Sequence, residues 1–242
     1  MQRLTPRPAR LLALFFVLVS GCATRATAPP LAAPEPAPPG GGSLAPRERE
    51  SEALLLLLSD RRLFDAEALG VMLGRRAPER EALAVALGRI GDPRGRSFLQ
   101  GLLVDGEPAV RRAAAFALGE LGAKEAVPSL LRAAVDDDAE TGALAVEALG
   151  KLAAPLADVR RVLGALAGDA GARRLAPFLF RFKEPAAVDA ARDLLASAEP
   201  ALRAGAAYAL GREPRAEARA TLLELVLDAD PAVRASVARG LG

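Results

Sequence analysis

The triplet Ala-Leu-Gly recurs with its glycine at Gly88, Gly119, Gly150 and Gly211, and the related Gly-Leu-Gly ends at Gly242. The successive glycines lie 31, 31, 61 and 31 residues apart, and 61 is two periods with one residue lost. A degenerate copy is therefore expected near residue 181, and AGARRLAPFLFR (170–181) supplies it when laid over PAVRRAAAFALG (108–119), although Pro177 and Arg181 break the pattern. The remaining copies are APEREALAVALG (77–88), AETGALAVEALG (139–150), PALRAGAAYALG (200–211) and PAVRASVARGLG (231–242). A period of this size restricts the fold severely. Each unit is a single supersecondary element that cannot bury its apolar face alone, so neighbouring units must stack.

Between these copies lie second helical patterns, such as AVPSLLRAAV (126–135), VDAARDLLAS (188–197) and ARATLLELVL (218–227), with apolar residues at helical spacing. Each period thus reads as two antiparallel helices. Asp92-Pro93, Glu199-Pro200 and Asp230-Pro231 are helix starts, an acidic residue preceding a proline whose missing N–H costs nothing in the first turn. Positions equivalent to Val110, Ala113, Ala114, Ala117, Leu118 and Leu121 form one apolar face, the expected core.

A glycine inside a good helix costs about 1 kcal/mol relative to alanine. Its recurrence at one slot is explained by a neighbouring helix passing too close for a β-carbon. Gly91 and Gly122, three residues further on, read instead as C-terminal caps.

The N-terminus reads as an address. Arg3, Arg7 and Arg10 precede the apolar run Leu11 to Val19, which at nine residues is too short to span a bilayer as a helix and has the order of an export signal. The run ends in Val-Ser-Gly-Cys, which resembles the lipobox of bacterial lipoproteins. That resemblance implies cleavage before Cys22, lipidation of Cys22 and stable attachment to a membrane through several acyl chains. The following Pro-, Ala- and Gly-rich segment has no helical or strand period and reads as a disordered tether reaching up to roughly 70 Å. The expected organisation is a signal peptide over 1–21, lipidated Cys22 and linker over 22–46, an irregular helical cap over 47–76 and the repeat array over 77–242.

Composition narrows the chemistry. Aromatics are 4% of the chain and Trp is absent, so the core is built from Ala, Leu and Val. Removing residues 1–21 takes the net charge from +2 to −1, a poor balance for neutralising phosphates, and no nucleic-acid partner is expected. The chain has no His and only one Cys, which excludes internal disulfides and Cys/His metal sites. VDDDAE (135–140) lacks the alternating ligand spacing and glycine of a calcium loop and reads as helix-start charge. No phosphate loop, nucleophile–base pair or credible carboxylate pair is present, and neither metal nor cofactor is expected.

From about residue 63 onward the VRxxAAxALG pattern resembles the HEAT-repeat family, in particular its short bacterial phycobilisome-lyase-like type. The resemblance implies an all-α solenoid of about five to six helical hairpins. It also implies a polar ladder in which an Asp six places before the repeated Arg takes part. Asp105 with Arg111 and Asp228 with Arg234 fit, whereas Gly142 leaves Asp136 without its Arg and Ser197 stands in the Asp place before Arg203, so the ladder is expected to be interrupted midway. Among HEAT-type enzymes, deoxyhypusine hydroxylase binds iron through His and Glu, which a chain without His does not reproduce.

In HEAT arrays the second helices line the concave, partner-binding surface. The row opposite the apolar face here includes Arg112, Phe116, Glu147, Arg174, Phe178, Phe182, Tyr208 and Arg212, and its aromatics stand out in an aromatic-poor chain. The expected function is a non-catalytic protein-interaction scaffold tethered to a bacterial envelope, on the periplasmic face of the outer membrane rather than the inner one. The alternative is a lyase-like enzyme or accessory of the bilin lyase class. The partner is an unidentified protein, and the lack of a polar terminal repeat after Leu241 and Gly242 suggests a homodimer through that end.

Overall fold

The computed structural model describes residues 46–213 and 216–242. Its regular structure among these residues is entirely helical: α1 (Pro46–Arg61), α2 (Ala66–Met72), α3 (Ala77–Ile90), α4 (Arg96–Leu102), α5 (Pro108–Glu120), α6 (Val127–Ala133), α7 (Ala139–Lys151), α8 (Leu156–Leu163), α9 (Ala170–Leu175), α10 (Pro185–Leu195), α11 (Pro200–Gly211), α12 (Ala216–Leu223) and α13 (Pro231–Leu241). Short 3-10 turns precede α4 and α6, and a longer one (Ala176–Arg181) continues α9. The segment expected to be an export signal, Cys22 and the expected linker up to residue 45 lie outside the described residues. No described helix is long and apolar enough to cross a membrane.

The helices pair as the period requires. From α2–α3 to α12–α13 each short first helix is followed by the second helix of its hairpin, and the second helices pack on one another in chain order, with α1 against α3. This is a HEAT-type solenoid. The N-termini are specified locally: Asp65 accepts from the amides of Glu67 and Ala68, Asp138 from that of Thr141, and Asp230 from that of Ala232. Gly91 and Gly122 adopt φ of 72° and 68°, the left-handed backbone that ends a helix without a β-carbon penalty.

The recurrent glycine marks the seam between hairpins. A β-carbon on Gly88 would lie 3.0 Å from Ala117 Cβ, and one on Gly119 would lie 3.0 Å from both Cα and Cβ of Ala148. Gly211 meets Gly240 more closely still, backbone against backbone. Each glycine thus faces the residue two places before the corresponding slot of the next repeat. Close approach lets short Ala and Leu side chains exclude water: Leu83, Leu87, Leu118, Leu149 and Leu210 are all at most 1% exposed. Each buried leucine contributes about 1.5–3 kcal/mol.

The degenerate copy differs from its siblings. Its second helix holds α geometry only to Leu175 and then tightens into the 3-10 turn, with Pro177 lacking an N–H to continue the α ladder. At Gly150 the seam is filled from the other side by Arg181 and Phe182.

Candidate functional site

The polar ladder is present, and its rungs join different residues from those the sequence pairs. Arg80 grips Asp105 through Nε and Nη2 at 2.6 and 2.8 Å, Arg111 grips Asp136 at 2.9 and 2.8 Å, and Arg203 grips Asp228 at 2.9 Å for both bonds. The fork therefore reaches forward into the next hairpin. Backward, Nη1 donates to main-chain carbonyls of the loop preceding its own helix: Arg111 to Asp105, Arg203 to Ser197 and Arg234 to Asp228.

Three expectations are corrected by this geometry. Asp105 and Asp228 do not give their carboxylates to Arg111 and Arg234, which take the aspartates' carbonyls instead. Asp136 does have an arginine, Arg111 of the preceding repeat. Ser197 serves the loop as the aspartates do, its Oγ accepting from Glu199 N just as Asp105 and Asp228 accept from the amides two residues on. Bidentate bonds from Arg80 and Arg203 hold the carboxyls of Asp105 and Asp228 below the usual carboxylate range.

One rung is missing at both partners, because the slots are occupied by Gly142 and Ala167. Arg174 enters from the next hairpin. It is 8% exposed, and its Nη1 and Nη2 donate to the carbonyls of Ala134 and Asp136, each at 2.7 Å. Arg174 is thus part of the array's interior rather than of the second-helix face. A cation there suits the carbonyls that end α6. Next to it, Arg173 pairs with Glu199 and carries the ladder onward.

Two of the three aspartates of VDDDAE are taken up by the fold. Asp136 receives Arg111, while Asp138 caps α7 and also binds Arg112 at 2.8 and 2.9 Å. The Arg112 fork, followed by Thr141, holds the Asp138 carboxyl far below its ordinary range.

The second-helix face carries a chain of ring and charge contacts. Phe116 is 47% exposed, and Lys151 Nζ lies 4.7 Å from its ring centre. Lys151 also pairs with Glu120 at 2.7 Å and Glu147 at 3.0 Å, and Glu147 accepts from Arg181 at 3.0 Å. The Arg181 and Arg212 guanidiniums lie 4.8 and 5.2 Å from the centre of the Phe180 ring, and Tyr208 meets that ring edge to face at 5.9 Å. Arg212 donates to Tyr208 Oη at 2.8 Å. The chain of contacts crosses α5, α7, the 3-10 turn and α11.

Of the residues expected on this face, Phe116 and Arg212 are exposed, and Arg112, Glu147 and Tyr208 are partly buried. Phe178 is half-buried against the core, and Phe182 is 5% exposed and belongs to it. Phe180 is the aromatic the sequence reading missed. The 3-10 turn advances about 120° per residue where an α-helix advances 100°. Register carried over from the intact repeats therefore misplaces the rings, and Pro177 was the available signal.

The class of protein defined by these features is a stacked helical-repeat array with a structured, accessible face. Comparison narrows it. Residues 96–177 match the family of HEAT repeats, and residues 79–105 match the PBS lyase HEAT-like repeat. Residues 79–177 thus carry HEAT-type repeats, with a PBS lyase HEAT-like repeat at their start.

Among solved structures, the Escherichia coli protein YibA is 17% identical over 82% of this chain and 75% of its own, with a TM-score of 0.51. The complex of CpcE and CpcF of phycocyanin lyase from Nostoc sp. PCC7120 is 20% identical, covering 87% of this chain and 98% of that one with a TM-score of 0.49. Human deoxyhypusine hydroxylase is 19% identical over 81% of this chain and 97% of its own, with a TM-score of 0.35. Likeness at this level concerns the fold alone. No curated protein sequence matches the chain.

Proposed function

We propose that this protein is a non-catalytic interaction scaffold whose second-helix face docks a protein partner. One observation carries the reading: Phe116 holds a large aromatic surface in solvent on a helix whose opposite face is fully packed. Rings flanked by cations and carboxylates are the usual anchors of protein interfaces, because they combine apolar area with orientable polar contacts. The export signal and lipobox resemblance support a bacterial envelope protein held by acylated Cys22, at the outer membrane facing the periplasm. The tether then sets how far the array reaches from that membrane.

The test has two parts. Cys22→Ser is expected to move the protein from the membrane fraction to the soluble fraction and to abolish incorporation of labelled palmitate. Phe116→Ser with Tyr208→Ser is expected to lose crosslinked partners from solubilised envelopes while keeping its helical circular dichroism and a single cooperative melting transition. Retention of the same crosslinked partners by that folded double variant contradicts the docking reading.

A further inference from the structure

The cations of the second-helix face are not treated alike along the array. Arg112 is neutralised within the chain by Asp138 and Glu140, Lys151 by Glu120 and Glu147, and Arg181 shares Glu147. Beyond Glu147 the pattern changes. Arg212 is exposed and its described polar partner is the neutral Tyr208 hydroxyl, while Arg239, also exposed, donates to Ser236 Oγ at 3.3 Å. Gly211 and Gly240 touch where α11 and α13 cross, so Arg212 and Arg239 flank that crossing as their chain neighbours. Glu213 lines a crevice with Leu179, Phe180, Ala187 and Val188 and is engaged in contacts of its own. Beside Arg212 stands the aromatic shelf of Phe180 and Tyr208.

We infer that this end of the face binds an acidic peptide segment of the partner, Glu or Asp side chains pairing with Arg212 and Arg239 while an adjacent apolar side chain lies on Phe180 and Tyr208. The inference rests on the docking reading above and names the partner's chemistry. Charge complementarity carries it: on this face the array neutralises Arg112 and Lys151 with its own carboxylates but leaves Arg212 and Arg239 without one among their described contacts. Arginine already stacked on rings is oriented at little further entropy cost, so its planar fork is ready for a carboxylate. A lysine at the same place presents only a point charge.

The experiment uses the full chain carrying Cys22→Ser, which has no acyl acceptor, and fluorescence anisotropy of a labelled peptide built from Glu-Glu-Leu-Gly repeats, with a Gln-for-Glu version beside it. The acidic peptide is expected to bind and the Gln version to bind at least tenfold more weakly. Arg212→Ala and Arg239→Ala are each expected to weaken binding about tenfold, with Arg212→Lys also impaired, while Arg161→Ala on α8 leaves it unchanged. Raising salt is expected to weaken binding by the wild-type chain more than by Arg212→Ala.

Equal binding of the two peptides, indifference to both arginines, or no binding of the acidic peptide overturns the inference. Arginine-dependent binding to phosphatidylglycerol vesicles without peptide binding also overturns it, and assigns the patch to lipid. None of these outcomes touches the docking reading, which stands or falls on the Phe116 and Tyr208 crosslinking result.

Discussion

The guanidinium of Arg174 occupies the space beside Gly142 into which a side chain at that position would grow. In the regular repeats this slot holds an arginine whose Nη1 donates to the carbonyl six residues earlier, as Arg111 does to Asp105 and Arg203 to Ser197. At Gly142 the corresponding carbonyl belongs to Asp136, and Arg174 supplies the donor from the following hairpin. The ladder is therefore rerouted where sequence alone shows a gap.

This complementarity predicts strong coupling. Arg174→Ala leaves the Ala134 and Asp136 carbonyls without that donor and is expected to cost about 2–3 kcal/mol. Gly142→Arg alone is expected to be destabilising because two guanidiniums compete for one space. Combining Gly142→Arg with Arg174→Ala is expected to recover much of the loss, since the new arginine regains the regular position. Urea unfolding of the two single variants and the double variant measures the coupling; additive losses would contradict the exchange.

The glycine seam predicts a gradient. Gly119→Leu is expected to overpack the α5–α7 contact and cost about 1–3 kcal/mol or more. Even Gly211→Ala is expected to be damaging, because the new methyl meets the Gly240 backbone, whereas at Gly101 nothing lies within 4 Å of a new β-carbon. Thermal melts are expected to rank Gly101→Ala as mildest.

The ladder predicts a specific acid response. Asp105 and Asp228 have folded-state pKa values below their unfolded ones, so their stabilisation is complete above the unfolded carboxylate value of about 3.9 and is lost as pH falls through the folded values. Stability is thus expected to decline below about pH 4. Asp105→Asn is expected to be less stable than wild type at neutral pH by about 1–2 kcal/mol, the difference shrinking as pH falls. Urea unfolding across pH checks both the size and the sign.

The two expected face aromatics that the fold separates make a direct contrast. Phe182→Ala is expected to cost about 3–5 kcal/mol as a core truncation. Phe116→Ser is expected to cost about 1 kcal/mol or less, since only the Lys151 contact and partial burial are lost. Chemical denaturation of the two variants side by side decides the assignment.

The hairpin fold was legible because a period, an apolar face and a repeated glycine constrain one another. The ladder's residues were legible too, but not their pairing: spacing along one repeat shows Asp105 near Arg111 and is silent on Asp136 approaching from the next. Arg174 was misplaced for a related reason. Its helical register points it outward, and only the empty slot at Gly142, two helices away in sequence, draws it inward. Phe180 was hidden by a change of helical period that one proline sets off.

Stacking of successive second helices through the glycine seam underlies the array, its ladder and its face, and a crosslink tests it most directly. In a Cys22→Ser background the chain has no other thiol, so cysteines placed at Gly88 and Ala117 report on that pair alone. Their β-carbons would stand about 3.0 Å apart, about half an ångström inside the shortest disulfide spacing, so a small opening of the seam brings them to bonding geometry. Mild oxidation is expected to consume both thiols within the monomer while the helical circular dichroism is kept, and the control pair at Gly101 and Ala117 is expected to stay reduced. Free thiols at 88 and 117 in a folded, fully helical protein would contradict the stacked array.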